Sequence, residues 1–116
     1  MNPYDLAHQL ARAMKDSEEY REYERLRESA YEDETNRALL DEYKRLQFRM
    51  QARLASGESM EQEELTRLQQ IGTLLQFNPD VNAYLMAEFR FQKMLSDIFK
   101  ILADVANIDL DSLTRS

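Results

Sequence analysis

Two titratable side chains in this 116-residue sequence stand where acid-base chemistry is conceivable, Glu88 and His8. Glu88 lies inside the most apolar run of the chain, where an unpaired carboxylate would cost on the order of several kcal/mol. One interpretation is a general acid with a raised pKa; the other is a carboxylate paired with Arg90, with an arginine of another helix or with a second copy of the chain. We favour the paired carboxylate, because no second catalytic group accompanies Glu88.

His8 is the single histidine, with Asp5 and Arg12 one helical turn to either side. It could act as a base or a ligand, but a lone histidine cannot assemble the usual transition-metal ligand set. The HExxH and paired ExxH patterns do not occur. The sequence also has no cysteine, which excludes disulfides, thiolate ligands and cysteine nucleophiles. We therefore predict no catalytic, metal or cofactor site.

A ridge of basic residues is the third candidate for function. Arg45, Arg49 and Arg53 recur every four residues, a spacing that places them on one helix face, where they could meet phosphates or an acidic partner. Several glutamates follow in the next helix, so one interpretation is a set of internal ion pairs, each worth little. The other is a docking surface for a partner protein, to which we assign Arg45, Arg49, Arg53, Glu61 and Glu64.

These side chains must be positioned by helices, because helical periodicity runs through the sequence and no alternating strand pattern occurs. Two glycines and two prolines are too few for a fold built on hairpin turns. The sequence predicts an all-α, oligomeric five-helix bundle with a long C-terminal helix. Its helices are expected to start at Pro3, after a cap at Asp16, at about Thr35, after a cap at Ser59 and at Pro79.

Helices three and four are predicted to form a hairpin. The third runs to about Ala55, and Gly57 suits the left-handed conformation that ends a helix. So short a connection forces the two helices to be antiparallel. Gly72, inside helix four, lowers the stability of that helix by about 1 kcal/mol relative to alanine. Its presence predicts either a close approach of another helix or a bend there.

The fifth helix, Asn78 to Asn107, is expected to be central to a homodimer. Asn78 can cap it, and Pro79 suits its first position. It would be about 42 Å long, more than the roughly 35 Å diameter of a compact domain of this size. A second copy would cover its apolar end. The residues assigned to this oligomer interface are Tyr84, Glu88, Phe91, Leu95, Ile98, Phe99 and Leu102.

Composition and charge limit the binding partners and the cellular location that the sequence allows. With 22 acidic and 15 basic residues the net charge is −7, which disfavours direct binding of nucleic acid or anionic membrane surfaces. The chain shows neither a signal peptide nor an 18-residue apolar run, so we expect a cytoplasmic protein. Its length predicts one helical domain over residues 1–108, followed by a flexible tail over 109–116.

Four segments together resemble a known family: PYDLAHQL, SEEYREY, QARLASGESMEQEEL and NPDVNAYLMAEFRFQKMLSDIFKIL. Up to about Ile108 the chain is similar to the YlbF/YmcA/YheA family of small helical proteins from Gram-positive bacteria, and it looks closest to the YheA branch. The resemblance implies an oligomerising cytoplasmic protein. Some relatives work in a complex that modulates ribonuclease Y and so affects messenger RNA maturation, competence, sporulation and biofilm formation. Those relatives carry cysteines linked to an iron–sulfur cluster; this chain has none, so that cofactor is not carried over.

Two functions from different classes are compatible with the sequence. The first is a non-enzymatic adaptor or regulator that binds other proteins. The family resemblance implies a link to RNA turnover or developmental regulation, with a ribonuclease-associated complex as one such partner. The alternative is a small-molecule-binding or enzymatic bundle that uses Glu88 or His8 in a pocket between helices. We predict the first, because neither residue has an evident catalytic partner in the sequence.

Overall fold

The structure, a computed structural model, describes residues 1–107, and every regular element in that range is a helix. The helices are α1 (Pro3–Lys15), α2 (Glu18–Glu32), α3 (Glu34–Ala55), α4 (Gln62–Gln76) and α5 (Pro79–Val105). The predicted all-α fold of five helices is confirmed. Within the described range no helix combines the length and apolar character needed to cross a membrane. The tail predicted over residues 109–116 lies outside the described residues.

Two of the helix starts follow directly from local sequence. The Asn2 side chain accepts a hydrogen bond from the Tyr4 N–H at 2.8 Å and so caps α1. The Asn78 side chain accepts from the N–H groups of Asp80 at 3.1 Å and Val81 at 3.2 Å. An asparagine in this position satisfies N–H groups that have no partner inside the helix. The predicted cap at Asn78 is confirmed.

The start of α2 differs from the prediction by one residue. Ser17, and not Asp16, provides the cap, because its hydroxyl oxygen accepts from the Tyr20 N–H at 3.2 Å. The Asp16 N–H donates to the Arg12 carbonyl at 3.0 Å, so Asp16 is the C-cap residue of α1. The first helix simply runs further than its apolar pattern indicated, and the next residue with a hydroxyl takes over as the cap.

The predicted cap at Ser59, before the fourth helix, is wrong. Glu61 is the N-cap residue of α4 and makes no side-chain capping hydrogen bond. Ser59 lies earlier in the connection, where its carbonyl oxygen is 3.5 Å from Arg53 Nη1. A glutamate side chain is too long to fold back onto the first N–H groups as a serine does, so the helix begins with acidic residues near its positive end in place of a hydroxyl cap.

Gly57 ends α3 as predicted. Its φ of 78° lies in the left-handed region that side chains disfavour. The Glu58 N–H donates to the Arg53 carbonyl at 2.7 Å, and the Gly57 N–H donates to the Leu54 carbonyl at 3.2 Å. These two hydrogen bonds form the Schellman pattern, which satisfies carbonyls left free at the helix end. The chain therefore reverses direction at this point.

The described chain groups into two compact units. We call residues Glu24–Leu85 the central unit, and residues 1–23 with residues 86–107 the terminal unit. In the central unit α3 and α4 pack antiparallel, as predicted, with contacts that run from Arg53 beside Glu64 to Tyr43 beside Gly72. Its buried side chains are Ala30, Leu40, Leu46, Ile71, Leu75, Val81 and Tyr84. That the chain is one domain stays a prediction.

Gly72 lies where α4 meets α3. A Cβ atom at Gly72 would be 3.6 Å from Cε2 of Tyr43, an ordinary van der Waals distance. The helix continues on both sides of this glycine, from Gln62 to Gln76. Of the two predicted outcomes, a close approach of the helices is the one found, with the tyrosine ring lying against the glycine.

An aromatic cluster holds the terminal unit together. The Phe91 ring stacks on the Tyr23 ring with centroids 5.5 Å apart, and it lies 5.4 Å from the Tyr20 ring in a tilted arrangement. Arg90 adds a contact from Nη2 to Glu22 Oε1 at 2.9 Å. These contacts attach the first turns of α2 to α5, because aromatic pairs at such distances are favourable beyond the area that they bury.

Candidate functional site

Two arginines of the predicted docking surface share one carboxylate of α4. Arg49 Nη1 lies 3.4 Å from Glu64 Oε2, and Arg53 Nη2 lies 3.1 Å from Glu64 Oε1. The Oε1 atom is shielded from solvent and makes no hydrogen bond, so its attraction to Arg53 is electrostatic. The side chains are 59% exposed at Arg49 and 16% exposed at Glu64. Arg53 and Glu64, which were assigned to the docking surface, therefore pair with each other inside the chain. Most of the Arg49 side chain remains exposed to solvent.

The two other residues assigned to this surface are not joined to that group. Arg45 and Glu61 are both exposed, and neither forms an ion pair with another described residue. Arg45 nevertheless follows Glu42 by three residues on the same face of α3, and its charge contributes to lowering the pKa of that carboxyl group. The structure thus brings together Arg49, Arg53 and Glu64 and leaves Arg45 as an accessible cation.

Arg67 of α4 forms the shortest of the three ion pairs described for the hairpin. Its Nε and Nη2 atoms donate to the two carboxylate oxygens of Glu42 at 2.6 and 3.0 Å, a bidentate geometry. This hydrogen bonding is the main cause that lowers the pKa of Glu42, and the charges of Arg67 and Arg45 add to it. The same pair raises the pKa of the Arg67 guanidinium.

An exposed aromatic residue lies on the same helix and was absent from the sequence prediction. Phe48 is 72% exposed. Together with Lys44, Arg45 and Arg49 it lines an open depression of about 480 Å³. We define these four residues as the Phe48 surface. The sequence could have indicated this surface, because Phe48 lies outside the apolar stripe of helix three and follows Lys44 by four residues and Arg45 by three.

Tyr84, assigned to the oligomer interface, is buried inside the chain. Its ring meets the Tyr31 ring edge-on with centroids 5.7 Å apart, and its hydroxyl oxygen accepts a hydrogen bond from Lys44 Nζ. The Lys44 ammonium also lies 4.8 Å from the centroid of the Tyr84 ring. Because these contacts bury the side chain completely, Tyr84 has no surface to offer a second copy.

The other assigned interface residues differ in exposure along α5. Phe91 is half-buried against its aromatic neighbours, and Glu88 and Ile98 are also half-buried. Towards the end of the helix large apolar side chains become about half exposed or more. We define them as the α5 apolar surface: Leu95 (49%), Phe99 (54%), Ile101 (67%), Leu102 (57%) and Val105 (88%). Ile101 and Val105 belong to this surface although they were not among the assigned residues.

The residues considered for catalysis lie on α1 and α5. His8 is exposed, and Glu88 is half-buried. Neither lines the Phe48 surface or a second open depression, of about 790 Å³, that α2 and the start of α3 form around Tyr31. In that depression the Arg37 guanidinium donates to the Tyr31 carbonyl at 2.9 and 3.1 Å. Apolar and cationic side chains lie side by side at the Phe48 surface, whereas the second depression is lined by both acidic and basic residues.

Two solved structures share the fold. A protein of unknown function from Bacillus stearothermophilus superposes with a TM-score of 0.73 at 23% identity, covering 97% of this chain and 96% of the other. The second is Bacillus subtilis RicA, solved in complex with RicF, with a TM-score of 0.59 at 18% identity over 90% of this chain and 92% of the other. At these identities the likeness concerns the fold.

Sequence comparison identifies the family. A UPF0342 protein of Halothermothrix orenii is 36% identical over 99 residues, covering 85% of this chain and 84% of the relative. A UPF0342 protein of Caldicellulosiruptor bescii is 34% identical over 103 residues (89% and 87%), and YheA of Bacillus subtilis is 28% identical over 102 residues (88% and 87%). Residues 4–105 match the family model described as control of competence regulator ComK, YlbF/YmcA. The chain therefore belongs to the YlbF/YmcA family, as its sequence motifs predicted.

Proposed function

We propose that this protein is a non-enzymatic regulator that acts by binding other proteins, and that it does so as a homodimer. The α5 apolar surface carries the proposal. Five large apolar side chains within residues 95–105 keep about half or more of their area in contact with solvent. Large apolar side chains exposed on successive turns of one helix are typical of a protein–protein interface.

A second copy of the chain is the proposed occupant of this surface. Leu95, Phe99 and Leu102 follow one another by four and three residues, the spacing of a helix face that packs against another helix. A two-fold dimer places the same face of both copies together and covers the apolar side chains of each. Phe91 would add only its half-exposed part, and the buried Tyr84 is no longer included.

Partner proteins are proposed to dock on the α3–α4 hairpin. The accessible charges there include Arg45, Arg49 and Glu61. Arg53 and Glu64 form an ion pair whose side chains are less exposed. Charged groups that contribute little to stability can still set the orientation of a partner and the rate of its association. RicA, which shares this fold, was solved in complex with RicF, and this supports a partner protein for the present chain.

The proposed role is regulation of developmental state or of RNA turnover in the host bacterium. The family description, control of competence regulator ComK, supports the developmental part. The resemblance to relatives that act with a ribonuclease supports the second part. The net charge of −7 favours protein partners over direct contact with RNA.

The test is co-purification from the host with tagged full-length chain. We expect the wild-type protein to retain a specific partner, and Arg45→Glu/Arg49→Glu to lose it while keeping the oligomer and the helical content. Arg21→Glu/Arg25→Glu is the matched control, since it reverses two exposed arginines at the same spacing on α2. Retention by the first double variant would exclude the hairpin as the docking surface. Turnover of a substrate that disappears in Glu88→Gln would contradict the non-enzymatic role.

A further inference from the structure

The Phe48 surface combines an apolar centre with cationic edges. Phe48 is 72% exposed, and it differs from the other exposed phenylalanines in the cationic side chains that line a depression together with it. The Lys44 ammonium is directed to the Tyr84 hydroxyl and lies 6.0 Å from the centroid of the Tyr31 ring. The aliphatic part of the lysine therefore lines the depression beside Phe48, and Arg45 and Arg49 supply its accessible charges.

Three of the four side chains that line this depression are cationic and none is acidic, although the protein as a whole is acidic. Among the ion pairs of the hairpin the guanidinium groups of Arg49, Arg53 and Arg67 face only two carboxylates, Glu42 and Glu64. Arg45 has no ion pair with a described residue and adds a fourth cation. The wall of the depression therefore has cationic side chains beside an exposed aromatic ring, in a chain with a net charge of −7.

We infer that the Phe48 surface binds an acidic segment of a partner protein, which places one apolar side chain against Phe48 while its carboxylates pair with Arg45 and Arg49. This inference rests on the proposed function and names the chemistry of the partner. Aromatic and arginine side chains dominate the energy of many protein interfaces, because the first buries a large area and the second forms bidentate pairs with carboxylates. The apolar contact supplies affinity, and the arginines select the acidic sequence.

Other occupants are less well matched to the same residues. A single-stranded RNA could stack a base on Phe48 and place phosphates near the arginines, but the acidic charge of the remaining chain repels a polyanion that extends beyond the patch. A second copy is expected on the α5 apolar surface, whose side chains are uncharged. An acidic segment of limited length satisfies both the local positive charge and the exposed ring.

Selection from a random peptide library displayed on phage tests the inference, with the immobilised full-length protein as bait. We expect the enriched peptides to have a net negative charge and at least one large apolar residue. Synthetic copies of them should bind wild-type protein in fluorescence anisotropy measurements. Phe48→Ala and Arg45→Glu should each weaken this binding by about tenfold or more, because a few apolar anchors and paired charges carry most of the affinity of an interface. Added salt should weaken it further.

The matched control for the ring is Phe77→Ala, which removes a phenylalanine that is 82% exposed at the end of α4. Binding should change by less than about twofold in this variant and in Arg25→Glu. Both Phe48 and Phe77 are exposed, so thermal unfolding should be nearly unchanged and loss of folding cannot explain a loss of binding. Enrichment of basic or neutral peptides, no enrichment at all, or equal effects of Phe48→Ala and Phe77→Ala would overturn the inference.

Two further measurements separate the alternatives. If wild-type protein binds a fluorescent 20-nucleotide single-stranded RNA and Phe48→Ala abolishes that binding, the surface is assigned to RNA. If Phe48→Ala dissociates the oligomer, the surface is assigned to a second copy. Either result contradicts the binding of an acidic segment. The proposed function has its own criterion, because it fails if the wild-type chain retains no partner from the host. A partner that is retained equally by wild type and Phe48→Ala contradicts only the inference about this surface.

Discussion

Arg67 binds both carboxylate oxygens of Glu42 across the α3–α4 hairpin, from Nε to Oε1 at 2.6 Å and from Nη2 to Oε2 at 3.0 Å. Both side chains remain accessible to solvent, so the pair contributes only modestly to stability. Its clearest effect is on protonation, because the two hydrogen bonds favour the charged carboxylate and lower its pKa.

The pH dependence of Glu42 follows from this lowered pKa. Its stabilising contribution is complete above the ordinary pKa of a glutamate and is lost as the pH falls through the lower pKa of the folded state. In Arg67→Gln the pKa of Glu42 should rise towards its ordinary value, as NMR titration of the side-chain carboxyl can measure. The stability difference between wild type and variant should then vanish in acid. Arg90→Gln, which removes a different arginine–glutamate contact, should leave the Glu42 titration unchanged.

The two glycines should respond in opposite ways to alanine. Gly72→Ala should raise the free energy of unfolding by up to about 1 kcal/mol, because alanine favours helix and its Cβ would meet Tyr43 at 3.6 Å, an ordinary contact. Gly57→Ala should lower it by about 1 kcal/mol or more, since its φ of 78° strains any side chain even where space is free. Urea denaturation of the two variants measures both changes. A destabilised Gly72→Ala would mean that the ring of Tyr43 cannot yield.

The cap at Asn78 should be worth about 1 kcal/mol to the free energy of unfolding. Its side chain accepts from two N–H groups at the start of α5, at 3.1 and 3.2 Å, and alanine would leave both to water. Asn82→Ala is the control, because Asn82 is exposed inside the same helix, where alanine is the better residue. Chemical denaturation should therefore show a loss for the first variant and no loss for the second.

The α5 apolar surface should hold the oligomer together. Leu95→Asp is expected to produce monomers, because a second copy would have to bury a carboxylate against apolar side chains. Leu74→Asp makes the same change at a site on α4 that is 55% exposed, and should leave the oligomer intact. Light scattering at micromolar concentration, with circular dichroism to check helicity, distinguishes the two variants. A wild-type protein that is monomeric under these conditions would contradict the proposed dimer.

Much of the fold was predictable because its determinants are local. The left-handed glycine at Gly57, the asparagine cap at Asn78 and the helical periodicity between them act over a few residues, and all three are found in the structure. The errors concern helix starts. Where Asp16 and Ser17 stand side by side, the cap depends on where the preceding helix stops, and the apolar pattern alone does not define that residue.

The surfaces were less predictable, because exposure depends on residues far apart in the chain. Spacing and backbone preference were sufficient to predict the five helices, the reversal at Gly57 and the arginine ridge on one face of α3. The burial of Tyr84 beside Lys44, forty residues away, and the exposure of Phe48 result from the packing of the helices and could not be read from the sequence. Packing selects which apolar side chains are covered, and no local pattern contains that choice.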